Sequence, residues 1–218
     1  TGELFEVNGS LLKVVSLDGH RISIRKVELK ENFGNIKVVV PGKTLTEVSK
    51  ILSGETDDDV RIFFTTNHIV FEFEETIVVS RLIEGEYFKI NQMLSNDYET
   101  KININRKELL DSIERASILI RESDKKPIIL KISDSVMKLS LKTVYGYMNA
   151  EVLIHKYGKD MMIGFNPKFL IDALRIIDDE EVTIYMMNPK APCYIKDDDE
   201  NYIYLILPVN FNQSEYND

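Results

Sequence analysis

The 218-residue sequence holds a single cysteine, Cys193, and contains no long uninterrupted apolar run and no Gly-X-Y period. One cysteine cannot form an internal disulfide, which fits a reducing compartment and a cytoplasmic location. A membrane-spanning helix needs about 18 or more consecutive apolar residues, and none is found. Basic residues are also short. There are 27 Lys and Arg against 36 Asp and Glu, a net charge of −9. That balance argues against the usual basic footprint of a nucleic-acid binder. It does not exclude one, because phosphates respond to local rather than net charge. The chain begins at Thr1 and shows no basic stretch followed by an apolar one, so no signal peptide is read.

Catalytic signatures are absent as well. The three histidines, His20, His68 and His155, lie far apart without metal-ligand spacing. No phosphate-binding glycine loop, Gly-x-Ser-x-Gly elbow or His-Glu-x-x-His occurs. Cys193 has no cue for thiolate activation and is read as a buried thiol. The acidic runs Asp57-Asp58-Asp59 and Asp197-Asp198-Asp199-Glu200 lack the glycine of a calcium loop and are read as solvated. The expectation is a protein with no catalytic residues, no cofactor and no metal.

What is present is mostly strand. Short runs rich in Val, Ile and Phe, bounded by turn residues, predict strands over Leu11–Leu17, Arg21–Glu28, Ile36–Val40, Val60–Thr65, Ile69–Glu74 and Thr76–Leu82. A second series covers Lys101–Asn105, Pro127–Ser133, Val136–Lys142, Tyr147–His155, Met161–Phe165, Glu181–Met187, Pro192–Lys196 and Tyr202–Val209. Alternation such as Val70-Phe71-Glu72-Phe73-Glu74 marks half-buried antiparallel strands. Apolar residues at 3.6 spacing predict helices over Lys43–Leu52, Arg106–Ile120 and Pro167–Ile177. Asn166 is the expected N-cap of the third, with Pro167 at its first position.

The chain repeats itself at an offset of 125. Lys43-x-Leu45-x-Glu47-x-x-Lys50-Ile51-Leu52 matches Lys168-x-Leu170-x-Asp172-x-x-Arg175-Ile176-Ile177, and Leu4–Val7 matches Ile129–Ile132. The fold class is therefore α+β, in two related domains expected at 1–97 and 98–218. The second copy opens with a strand and a helix that the first lacks. The first is accordingly expected to be truncated by about 25 residues, with the native chain extending upstream. Positions i, i+4 and i+7 of the repeated helix read Lys43/Glu47/Lys50 and Lys168/Asp172/Arg175. The plain reading is a solvated face with internal ion pairs. The sharper one is a set of cations aimed at phosphates, giving sequence-independent contacts.

Several blocks, in order, carry a resemblance: Gly2-x-Leu4-Phe5-Glu6, Asp18-Gly19-His20-Arg21-Ile22, Val40-Pro41-x-Lys43, Ser80-Arg81-Leu82-Ile83-Glu84-Gly85-x-Tyr87, Arg115-Ala116-Ser117-Ile118-Leu119 and Leu205-Ile206-Leu207-Pro208-Val209. Together they resemble the bacterial DNA sliding clamp, the beta subunit of DNA polymerase III, from the end of its second domain through its third.

The resemblance implies tandem clamp domains with antiparallel sheets outside and helices on the inner face. Two full-length chains would close a homodimeric ring around double-stranded DNA. The ring acts as a DNA replication processivity factor, docking polymerase, clamp loader and repair proteins through short linear motifs with a glutamine and apolar residues. By position, Lys43, Lys50, Arg106, Lys107, Lys168 and Arg175 would face DNA. Leu17, Gly19, His20, Arg21, Ile22, Phe88, Met93, Leu205 and Leu207 would form the apolar pocket of a peptide-binding groove between the second and third domains. Asn166, Phe169, Pro208, Val209 and Asn210 would border its channel, and Ile118 and Leu119, late in their helix, would sit at the ring interface. A fragment lacking the first domain would be monomeric or weakly associated.

Departures from the family pattern are Tyr87-Phe88-Lys89 in place of Tyr-Pro-Asp, Gln92 in place of arginine, Ser95 in place of proline and Asn210 in place of arginine. Residues 212–218 also run past the usual terminus. The alternatives are a clamp-like peptide-binding module that does not encircle DNA and, third, an enzyme with a scattered site.

Overall fold

The computed structural model describes residues 2–52, 59–120 and 126–216. The chain forms two compact units, Thr1–Leu17 with Ile24–Leu94, and Asp18–Ser23 with Ser95–Asp218. The short segment Asp18–Ser23 thus leaves the first unit to join the second.

The first unit contains β1 (Gly2–Asn8), β2 (Leu11–Leu17), the part of β3 (Arg21–Glu28) from Ile24 onward, β4 (Asn35–Pro41), α1 (Gly42–Ile51), β5 (Arg61–Phe64), β6 (His68–Phe73) and β7 (Thr76–Arg81). β1 lies antiparallel between β2 and β4, and β5, β6 and β7 form a separate three-stranded meander. Alternation puts Phe5, Val40, Ile69, Phe71 and Phe73 on inward faces, where Val48 of α1 joins them in one core.

The second unit contains β8 (Thr100–Asn105), α2 (Arg106–Ser117), β9 (Ile128–Ser133), β10 (Val136–Thr143), β11 (Gly146–Gly158), β12 (Met161–Phe165), α3 (Pro167–Arg175), β13 (Glu181–Met186), β14 (Cys193–Lys196) and β15 (Tyr202–Ile206). Its strands run β12-β9-β10-β11-β8-β13-β14-β15, each pair antiparallel. α2 and α3 pack side by side and bury Leu109, Ile113, Leu170 and Leu174 against the sheet. Full burial of each such side chain contributes about 1.5–3 kcal/mol.

Except at β5, the 125-residue offset holds at the level of hydrogen-bond register in the strand pairs that follow. Leu4 pairs with Val15 and Val39, while Ile129 pairs with Ser140 and Gly164. Phe71 opposes Val78 as Lys196 opposes Ile203. Even the tight turns correspond. Gly9 at φ +65° and Asp134 at φ +48° both open two-residue hairpin loops that need a left-handed residue.

The helices end earlier than periodicity predicts. α2 stops at Ser117 rather than Ile120, and α3 at Arg175 rather than Ile177. After α2 the amides of Leu119 and Ile120 bond three residues back, to Ala116 and Ser117, which is a tightened final turn. Ile118 and Leu119 therefore lie just past the helix, not late within it. β15 likewise ends at Ile206, before Pro208, rather than at Val209. Asn166 is the expected N-cap: its Oδ1 accepts from the Lys168 amide at 3.0 Å, with Pro167 next in the chain. Asn105 caps α2 similarly through Glu108.

Candidate functional site

Among the described residues, a dense polar constellation is built around Arg21, in the second unit. Asp18 starts it. Its Oδ1 accepts from the amides of His20 (2.8 Å) and Arg21 (3.1 Å), a local turn of the kind Asp favours. Its Oδ2 takes Arg21 Nε at 2.9 Å. Arg21 Nη1 donates to Asp172 Oδ2 on α3 at 2.6 Å and to the Tyr204 hydroxyl on β15 at 3.2 Å. Its Cζ stands 4.3 Å from the centroid of Phe169, one helical turn before Asp172. The His20 ring meets the same Phe169 edge-on at 6.1 Å, and the His20 carbonyl accepts from the Leu207 amide.

Electrostatics follow from this packing. Burial disfavours the Asp18 carboxylate, but the bonds from Arg21 and from two amides outweigh it and hold its carboxyl below the ordinary range. Burial works against Arg21 too, and the bonds to Asp172, Asp18 and Tyr204 more than restore its charge. Burial pushes the Tyr204 hydroxyl up. The result is a rigid, permanently charged guanidinium with an aromatic face beside it. Three half-exposed or exposed groups, His20, Phe169 and Leu207, surround it. Such a surface can hold an apolar side chain and orient polar ligand groups.

The predicted groove residues divide among several environments. His20, Arg21, Phe169 and Leu207 come together as described. Gly19 is exposed beside them. Ile22 and Leu205, each 3% exposed, are core residues and present no side-chain surface. Val209 donates its amide to Gly164 at 2.8 Å, which lays the Pro208–Asn210 stretch along β12. The side chain of Asn166 is occupied in capping α3. In the first unit, Leu17 and Phe88 line a cavity of about 220 Å³ with Gly2, Val39 and Ile83. Phe88 is 70% exposed, and Tyr87, which meets it edge-on, anchors the segment by donating to the carbonyls of Val15 and Gly2. Met93 is exposed and lies outside that cavity.

The six predicted phosphate-facing cations are not equivalent. Lys43, Lys107 and Lys168 are exposed. Lys50 pairs with Glu47, and Arg175 makes two bonds to Glu114 Oε1 across α2 and α3, at 2.7 and 3.0 Å. Arg106 is half-buried and spends its guanidinium on the carbonyls of Leu174 and Asp179, closing the C-terminal end of α3. The acid shared by the two repeated motifs also diverges: Glu47 serves its own helix, whereas Asp172 serves Arg21.

Ile118 is 82% exposed, while Leu119 packs against the core. Cys193 is buried, and that burial pushes its thiol well above the ordinary range. Among the described residues no cluster of His, Cys, Asp and Glu is arranged to hold a metal, and no helix is long and apolar enough to cross a membrane. Asp57 and Asp58 lie outside the described residues. Asp197 accepts from the Tyr202 amide and Glu200 pairs with Lys196, so that acidic run serves a β14–β15 loop.

Sequence reasoning did not identify Asp172, Tyr204 or Asp18 as functional. Asp18-Gly19 is a readable turn signal, but Arg21 and Asp172 are 151 residues apart and no local pattern links them.

Comparison with known proteins places these features in a family. Residues 1–89 match the central-domain model of the DNA polymerase III beta subunit, and residues 91–210 match its C-terminal-domain model. The beta sliding clamp of Staphylococcus epidermidis is 34% identical over 215 residues, covering 96% of this chain and 56% of that protein. A structure described as a candidate DNA polymerase III beta subunit from Eubacterium rectale is 65% identical with a TM-score of 0.93, covering 97% of this chain and 57% of that one. The DNA polymerase sliding clamp of Bacillus subtilis is 31% identical with a TM-score of 0.91, again covering 97% and 57%. The chain thus spans a little over half the length of the relatives it matches. With consecutive domain models matched in order along its two units, the chain belongs to the DNA polymerase III beta subunit family.

Proposed function

We propose that the chain forms the central and C-terminal part of a processivity clamp, a non-catalytic ring that encircles duplex DNA and tethers the replicative polymerase to it. The observation that carries this reading is the match of both units, in order, to adjacent domains of one family. A net charge of −9 suits a protein held on DNA by topology rather than by tight contact. Exposed Lys43, Lys107 and Lys168 supply a few weak, salt-sensitive phosphate contacts, while Lys50 and Arg175 exchange an internal carboxylate for phosphate. Arg106 contributes as the closure of α3, not as a free cation.

The docking function is assigned to the surface around Arg21. Phe169, His20 and Leu207 receive apolar side chains of a linear motif, and the fixed guanidinium orients its polar groups; in the first unit Leu17 and Phe88 supply a second apolar patch. A micromolar site needs only about −8 kcal/mol, which a small apolar patch with a few polar anchors can provide. Ile118 is the apolar contact for ring closure in the full-length homodimer.

The test is retention on DNA. The full-length protein, loaded by its clamp loader on nicked circular plasmid, is expected to co-elute with the circle and to be released when the plasmid is linearised. Absence of any retained species, or retention indifferent to linearisation, overturns the clamp reading. Peptide binding without retention on DNA identifies a docking module instead.

A further inference from the structure

The family match ends at Asn210, yet residues 211–216 beyond it pack against the second unit. Phe211 seats over Gly164 of β12. A Cβ built on that glycine would lie 2.9 Å from Phe211 Cδ1, 3.0 Å from Ile129 Cδ1 and 3.1 Å from the Val209 carbonyl oxygen. The first of these is closer than real Cβ atoms come and the other two are tighter than nine in ten real contacts, so any side chain at this position would push the Phe211 ring off its seat. A 3-10 turn over Gln213–Tyr216 then folds back, with the Asn212 side chain accepting from Ser214. Tyr216 meets the Phe211 ring edge-on at 5.9 Å. Lys142 of β10 fastens the far end: its Nζ donates to the Glu215 carbonyl and stands 5.2 Å from the Tyr216 ring centroid. Burial pushes the Tyr216 hydroxyl up, consistent with a seated ring.

The stretch between β15 and this clasp is Leu207–Asn210. It is held at one end by the Leu207 amide on the His20 carbonyl and in the middle by the Val209 amide on Gly164. We propose that Phe211, seated over Gly164 and clasped by Tyr216, is a positioning residue that fixes Leu207–Asn210 in register as one wall of the peptide-docking surface. The proposal rests on the docking reading given above. Its physical content is preorganisation. A wall already ordered before the ligand arrives loses little freedom on binding, whereas a frayed one must be ordered at the ligand's expense. The clasp does not compete for the docking surface, because it lies over β12 and β10 rather than against Phe169.

The experiment titrates the 218-residue chain with a fluorescein-labelled synthetic peptide carrying one glutamine and two downstream apolar residues, read by anisotropy. Phe169→Ala serves as the control for the docking reading itself and is expected to abolish binding. Phe211→Ala, and separately a chain ending at Asn210, are expected to weaken binding by about fivefold through loss of preorganisation. Phe211→Tyr, which keeps the ring, is expected to restore it.

The chain has no tryptophan, so Phe211→Trp gives a single reporter. Its emission is expected to be blue-shifted and unchanged by peptide. If Phe169→Ala abolishes binding while Phe211→Ala and the shortened chain bind like the parent, the positioning role is overturned and the docking reading stands. A red shift of the Phe211→Trp reporter's emission on adding peptide also overturns it, by showing the clasp displaced. If Phe169→Ala binds unchanged, the docking reading itself fails, and the proposal with it.

Discussion

At the scale of single residues, Arg21 concentrates more interactions than any neighbour: two carboxylates, a phenol and an aromatic face. A lysine retains the charge but not the planar fork that reaches Asp18 and Asp172 together. Arg21→Lys is therefore expected to leave the fold intact and to weaken docking of the labelled peptide by roughly tenfold, a cost of about 1.4 kcal/mol. Asp18 gives a pH signature. Its folded carboxyl titrates below the ordinary value, so the stability it contributes is fully present above about pH 4 and drains away as pH falls through the lower, folded value. Thermal melts between pH 5 and pH 2 should show that loss in the parent chain and a reduced slope in Asp18→Asn. The individual residues of this cluster were only partly legible in the sequence. Asp18-Gly19 announces a turn, but Arg21 finds Asp172 and Tyr204 through tertiary packing across 151 and 183 positions, a separation at which periodicity carries no information.

At the scale of elements, much of the fold was legible because strands such as β6 and β8 alternate and the helices keep their 3.6 spacing, while β14, buried at all four positions, shows no alternation. The strand β1 over Gly2–Asn8 was not among the predicted strands, and other errors sit at element ends, where Ser117 and Ile206 stop elements whose apolar pattern continues. Periodicity reports which residues face the core, and Leu119 does face it, without being helical. β5 is the place where the repeat slips: β13 runs Glu181–Met186, so its 125-residue counterpart falls ahead of Arg61–Phe64.

The caps give a prediction at this scale. α3 begins with a side-chain cap from Asn166, whereas α1, its counterpart, follows Pro41 and has none. Asn166→Ala should lower stability by about 1 kcal/mol in urea unfolding. Arg106→Ala should cost more than either exposed lysine, Lys107→Ala or Lys168→Ala, because it strands the carbonyls of Leu174 and Asp179 at the end of α3. Equal effects from all three would remove the structural role assigned to Arg106.

At the scale of the whole molecule, charge and association decide behaviour. With nine excess negative charges and only a few exposed lysines on its helices, the 218-residue chain should show no retention on linear duplex at physiological salt. Electrophoretic mobility shift at about 150 mM salt, where the Debye length is about 8 Å, checks this. Sedimentation should give a species near 25.2 kDa. A tight dimer of this chain would contradict the assignment of Ile118 to contact with a domain that the chain does not supply.

The residue-for-residue correspondence of hydrogen-bond register has a folding consequence. β1, between β2 and β4, and β9, between β10 and β12, match in direction and pairing offset. Each half of the chain therefore offers the other a plausible wrong partner while unfolded. Rapid refolding from denaturant should pass through strand-exchanged species that resolve slowly, whereas synthesis from the N-terminus lets the first half close before its rival emerges.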